Sequence, residues 1–102
     1  RSFLYIEECL EGMLRLMQSD WSGPVNIGSD EMVSINELAA IIMQIADKTV
    51  CIKHIPGPQG VRGRNSDNRL IEKMLGWRPT RMLQQGICPT YRWIQKEVHA
   101  QC

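Results

Sequence analysis

The sequence has no apolar run near the roughly 18 residues of a membrane-spanning helix, and no signal-peptide pattern opens it. It has no C-x-x-C pair either, since its four cysteines stand apart at positions 9, 51, 88 and 102. Zinc sites and redox motifs place two ligands on one turn, so neither is expected. Its two histidines, His54 and His99, have no cysteine or carboxylate at metal-ligand spacing. Both read as ordinary side chains, and no metal is expected. There is no internal repeat, low-complexity tract or heptad seam. An initial Met is missing as well: Arg1-Ser2-Phe3-Leu4-Tyr5-Ile6 begins directly in strand-like sequence, as expected of a piece of a longer chain. A net charge of only +1 argues against a nucleic-acid partner.

What is present is ordinary for a globular chain: 102 residues, 43% apolar and 23% charged, one domain's worth. Cys9 falls on the apolar side of a helical pattern and Cys51 lies in a strand-like run. The cysteines therefore read as small core thiols, which suits a reducing compartment and a cytoplasmic location. The charge is unevenly placed. Residues 1–61 carry four basic and eight acidic side chains, a net −4. Residues 62–81 carry Arg62, Arg64, Arg69, Lys73, Arg78 and Arg81 against Asp67 and Glu72, a net +4. Such a cluster on a near-neutral chain is either a solvated basic face or the seat of one anionic ligand.

Periodicity organises the chain as alternating short strands and about four helices, an α/β pattern. Strands are expected at Ser2–Tyr5, Val25–Gly28 and Thr49–Ile55. A first helix runs from about Ile6 to Gln18, with Ile6, Leu10, Met13, Leu14 and Met17 as its buried stripe. Gly12 costs that helix about 1 kcal/mol relative to Ala, so a close packing contact is expected there. Ser34-Ile35-Asn36-Glu37 is a capping box, and Ile35, Leu38, Ala39, Ile42 and Ile45 follow as one apolar stripe ending near Asp47. Pro56-Gly57-Pro58-Gln59-Gly60 is an exposed loop. Asp67 or Asn68 caps a short helix over Arg69–Leu75, stopped by Gly76. Thr80 is the candidate cap of a last helix, roughly Met82 to His99, in which Pro89 predicts a kink or a late restart.

No catalytic constellation is legible. No G-x-G-x-x-G joins a strand to a helix, neither Tyr5 nor Tyr91 is followed at +4 by lysine, and Glu7-Glu8 and Asp30-Glu31 point apart as sequence neighbours. Binding is another matter. Arg62-Gly63-Arg64 follows a loop of glycines and prolines, where backbone can approach a ligand and guanidinium forks can meet a pyrophosphate. Short Arg/Gly runs are also common on surfaces. Asn65, Ser66 and Asn68 are candidates to bond ligand hydroxyls or to build the turn, and the usual roles of Asn and Ser favour the turn. Trp77 reads as a partly buried anchor.

Taken in order, the strand, helix, V-N-I-G-S, S-I-N-E-L and G-W-R-P-T pieces resemble the C-terminal substrate domain of extended short-chain dehydrogenase/reductases. R-S-F-L-Y-I-E-E-C, P-V-N-I-G-S-D-E-M-V-S-I-N-E and above all H-I-P-G-P-Q-G-V-R-G-R-N-S-D-N resemble, within that superfamily, the GDP-mannose 3,5-epimerase family of plant ascorbate synthesis. The likeness runs to about residue 97. It implies that residues 1–102 are a small C-terminal substrate-binding domain, with about residues 1–6 belonging to an absent N-terminal Rossmann part. It implies an NAD cofactor held by that absent part and a homodimer with its interface there. The implied reaction takes GDP-D-mannose through a C4-keto intermediate to GDP-L-galactose and GDP-L-gulose, with no catalytic or cofactor-binding residue in this segment. Arg1 matches the family arginine that follows Gln-Thr and contacts substrate, and Arg64 matches the one that binds the GDP diphosphate. Arg62 competes with Arg64 within the loop. The alternatives are a non-catalytic nucleotide-sugar binding remnant and the substrate domain of a 4,6-dehydratase or 4-epimerase.

Overall fold

A computed structural model describes residues 1–101; Cys102 and the core role expected of it lie outside the described residues. The chain forms four helices: α1 (Ile6–Met17), α2 (Ile35–Ala46), α3 (Arg69–Leu75) and α4 (Leu83–Ala100). Their ends follow from local chemistry. At α2, the Glu37 N–H donates to Ser34 Oγ at 3.0 Å and the Ser34 N–H to Glu37 Oε2 at 2.8 Å, the reciprocal pair the sequence announces. The helix stops at Asp47, which turns left-handed at φ 53°, a conformation that Asp tolerates better than most residues. Gly76, at φ 61°, stops α3 and returns its N–H to the Glu72 carbonyl at 2.9 Å.

The start of α4 is held from elsewhere in the chain. Met82, not Thr80, is the capping residue, and its N–H donates to Gln85 Oε1 at 3.0 Å. The Thr80 and Arg81 N–H groups both donate to Glu8 Oε1 at 2.8 Å, and the Leu83 N–H donates to Glu31 Oε2 at 2.7 Å. Glu31 satisfies a donor that the helix start leaves open, and Glu8 satisfies two donors of the turn that leads into it. The late restart at Pro89 does not occur, because α4 runs without interruption through that residue. Pro89 and Gln85, whose carbonyl loses its partner, are both exposed, where solvent is available to a carbonyl that lacks one.

The expected α/β architecture is corrected: among the described residues there is no strand and no sheet. Ser2–Tyr5, Val25–Gly28 and Thr49–Ile55 have strand-like composition but no ladder of neighbours to complete their backbone bonding. What pairing exists is sparse. The Arg1 terminal nitrogen donates to the Val33 carbonyl at 2.8 Å, and the Val33 N–H donates back to the Arg1 carbonyl at 2.9 Å.

The core is small. Ile71 is fully buried and Leu83 nearly so, with Asn68, Gly12, Pro79 and Gly86 beside them, and α2 packs on α4. A Cβ on Gly12 would lie 2.8 Å from both Ile27 Cγ2 and Trp77 Cζ3, which is the close contact its position calls for. Trp77 is half-buried there, an anchor against α1. The α1 stripe is a second correction: Ile6, Leu10, Met13, Leu14 and Met17 are 49% to 80% exposed, and α1 meets the rest of the chain through Gly12 and the carboxylates of Glu7 and Glu8 instead. The core-thiol expectation also changes, since Cys51 is exposed and Cys9 and Cys88 are half-buried. The molecule is flat, 48 × 33 × 20 Å, with a radius of gyration of 16.6 Å. A close-packed domain of this length has about 13 Å.

Candidate functional site

The basic cluster sorts itself by pairing. Arg78 bonds Asp30 at 3.1 Å and approaches Glu72 at 3.5 Å. Arg69 forks onto Asp67, with Nη2 to Oδ2 at 2.6 Å. That guanidinium, and then the Arg69 backbone N–H, hold the Asp67 carboxyl down at about 2, and the Arg69 guanidinium is raised in turn. Arg81 approaches Glu7 at 3.6 Å and lies over the Tyr5 ring, 4.5 Å from its centroid. Three of the six basic side chains between 62 and 81 are thus occupied within the chain. Arg62 and Arg64, together with Arg1, are exposed and meet no carboxylate among the described residues.

These free arginines share one region. Gly63, between Arg62 and Arg64, sits against Met32: a Cβ there would lie 2.5 Å from Met32 Cε. Met32 precedes Val33, whose backbone exchanges both hydrogen bonds with Arg1. The Arg1 guanidinium reaches the glycine loop, with Nη2 3.7 Å from where a Cβ on Gly60 would stand. An open hollow lined by Gln59, Gly60, Val61 and Arg62 lies along the same loop. The structure therefore brings Arg1 to the Pro56–Arg64 loop, from a distance of some sixty residues in sequence. Exposed, uncommitted guanidinium groups can form paired bonds to phosphate oxygens.

The other candidates are spent on the turn or stand near it. Ser66 Oγ donates to Asn68 Oδ1 at 2.7 Å, so its hydroxyl is already engaged. Asn65 Nδ2 reaches the Asp30 carbonyl at 3.5 Å, the limit of a hydrogen bond. Asn68 neither caps α3 with its side chain nor faces a ligand: Nδ2 donates to the Gly28 carbonyl at 2.9 Å, and the residue is buried. Sequence reading missed this role, because Gly28 is 40 residues away and no local pattern pairs them. Gly57, Gly60 and Gly63 stand in an irregular loop, not at a turn from strand to helix. Among the described residues no three of His, Cys, Asp and Glu converge as a metal site, and no helix is long and apolar enough to cross a membrane.

Comparison with known proteins gives this surface its context. No protein-family model matches the chain. It is 59% identical over 98 residues to GDP-mannose 3,5-epimerase 1 of Oryza sativa subsp. indica, a match that covers 96% of this chain and 26% of that protein. It is 56% identical over 98 residues to GDP-mannose 3,5-epimerase of Arabidopsis thaliana, with the same coverage. It is 35% identical over 88 residues to UDP-glucuronic acid decarboxylase 6 of Arabidopsis thaliana, covering 85% of this chain and 26% of that one. Along nearly its whole length, then, this chain is similar to the GDP-mannose 3,5-epimerases, of which it spans about a quarter.

Proposed function

We propose that this chain forms the nucleotide-sugar binding part of a GDP-mannose 3,5-epimerase, with Arg64 and Arg1 gripping the diphosphate from two sides. The observation that carries the reading is the 59% identity over 98 residues to a GDP-mannose epimerase, against 35% to a UDP-sugar decarboxylase. The geometry supports it: among the described residues Arg1, Arg62 and Arg64 meet no carboxylate, and Arg1 reaches the loop that carries the other two. NAD, bound elsewhere in the full-length protein, would supply a reversible oxidation at C4 of the mannosyl ring. This chain's residues bind and orient. Two guanidinium groups neutralise the diphosphate and, once bonded to it, limit the rotation of the sugar attached to it, which holds the reacting carbons in one place. The epimerase yields GDP-L-galactose and GDP-L-gulose, and acts as a cytoplasmic homodimer in plant ascorbate synthesis.

Titration calorimetry on the full-length protein tests this. It should bind GDP-mannose in preference to UDP-glucose, and Arg64→Ala should weaken GDP-mannose binding by about 1.5–3 kcal/mol, the range for a hydrogen bond to a charged group. A preference for the UDP-sugar would retire the epimerase reading in favour of the UDP-sugar enzymes. Loss of binding in Arg62→Ala, with Arg64→Ala unaffected, would move the diphosphate to Arg62.

A further inference from the structure

Arg1 and Arg64 are held by the same short stretch of chain. Residues 28 to 33 run past the 63–68 segment in opposite directions. Gly28 meets Asn68 through the 2.9 Å bond from Asn68 Nδ2. The Ser29 carbonyl accepts from the Ser66 N–H at 3.1 Å. Asp30 faces Asn65, and Met32 fills the space a side chain on Gly63 would need. Val33 then takes Arg1. Arg64 is thus bracketed by contacts at residues 63 and 65, and Arg1 lies one residue beyond the Met32 contact.

We propose that residues 28–33 act as a rail fixing the spacing between Arg1 and Arg64, and that Asn68 is the positioning residue that locks the Arg64 loop to it. The proposal rests on the reading of these two arginines as diphosphate ligands. Asn68 suits the role because its amide is spent at both ends, accepting from Ser66 Oγ at 2.7 Å while donating to Gly28. It is only 6% exposed, so water cannot readily replace either partner. Gly28 suits it too. A Cβ there would lie 2.8 Å from Ser66 Cβ, so the two backbones approach as closely as they do only because residue 28 lacks a side chain. In extended chain a slip of one residue turns a side chain to the opposite face. A lock at position 68 therefore decides whether Arg64 and Arg1 address one ligand or point apart.

The test is a double-mutant cycle in the full-length epimerase. Asn68→Ala should raise KM for GDP-mannose about tenfold while kcat stays within about twofold, since alignment of the diphosphate is lost and the reacting groups are untouched. Added to Arg64→Ala it should cost almost nothing more, because residues acting through one contact are not additive. Effects that multiply, or a fall in kcat at unchanged KM, would overturn the rail. If Asn68→Ala does not fold, Met32→Ala decides: this exposed residue seats Gly63, and its variant should raise KM in the same non-additive way. Additivity there overturns the proposal equally. An Arg64→Ala variant with unchanged KM would instead refute the diphosphate reading, so the two failures are told apart.

Discussion

Gly12 shows how much one missing methyl can matter. Replacing glycine by alanine inside a helix ordinarily gains about 1 kcal/mol. Here the new Cβ would meet Ile27 Cγ2 and the Trp77 ring at 2.8 Å, and neither a branched methyl next to the backbone nor a packed indole yields easily. Overpacking costs about 1–3 kcal/mol, so the balance favours glycine. Gly12→Ala should lower stability by about 1 kcal/mol, seen as a drop of several degrees in the thermal midpoint; a rise would mean that α1 simply shifts. Asp67 gives a pH-dependent counterpart. Its carboxyl titrates at about 2 in the fold, held down by Arg69, against about 3.9 in an unfolded chain. A depressed folded value contributes stability above about pH 4 that is lost as pH falls toward 2. Carboxyl carbon shifts followed by NMR should give a midpoint well below that of a free aspartate, and Asp67→Asn should remove this part of the acid sensitivity. A midpoint near 4 would show the pair to be unpopulated.

Helix α4 carries Pro89 in its interior without breaking. The lost bond and the ring's pressure on the preceding turn still count, so Pro89→Ala should stabilise the helix by up to about 3 kcal/mol. Slower amide exchange through residues 85–95 would register it, and unchanged exchange would show that the ring costs nothing here. The elements also show what was legible and what was not. Helix ends are written locally: Ser34 with Glu37 and Gly76 after Leu75 act within four residues, and the structure places α2 and α3 where they indicate. The expected strands failed because a strand is completed by a neighbour, and Val50 or Ile52 says nothing about whether one arrives. The α1 periodicity predicted the helix but the wrong covered face; which face is covered depends on Trp77, far along the chain. Of the candidate site, Arg62 and Arg64 were legible as a pair of forks on a glycine loop. Their relation to Arg1 was not, since it runs through Val33, 32 residues from Arg1.

At the scale of the whole molecule the surface is too large for its mass. It exposes 8152 Å², where a compact monomer of 11.7 kDa has about 5,900 Å². The excess, about 2,300 Å², is the size of a substantial protein interface. Large apolar side chains stand exposed, the α1 stripe among them. The chain by itself should therefore bind a hydrophobic dye and self-associate as concentration rises, and Leu10→Lys with Met17→Glu should suppress both. Sedimentation as a stable monomer at high concentration would contradict this.

The carboxylates that hold the start of α4 have a consequence in time as well as in space. Glu31 reaches Leu83 across 52 residues, and Glu8 reaches Thr80 across 72. Each of these bonds forms only after a long loop has closed, and that closure costs entropy before any contact repays it. The first turn of α4 should therefore seal late, when α1 and the 28–33 segment have come into place.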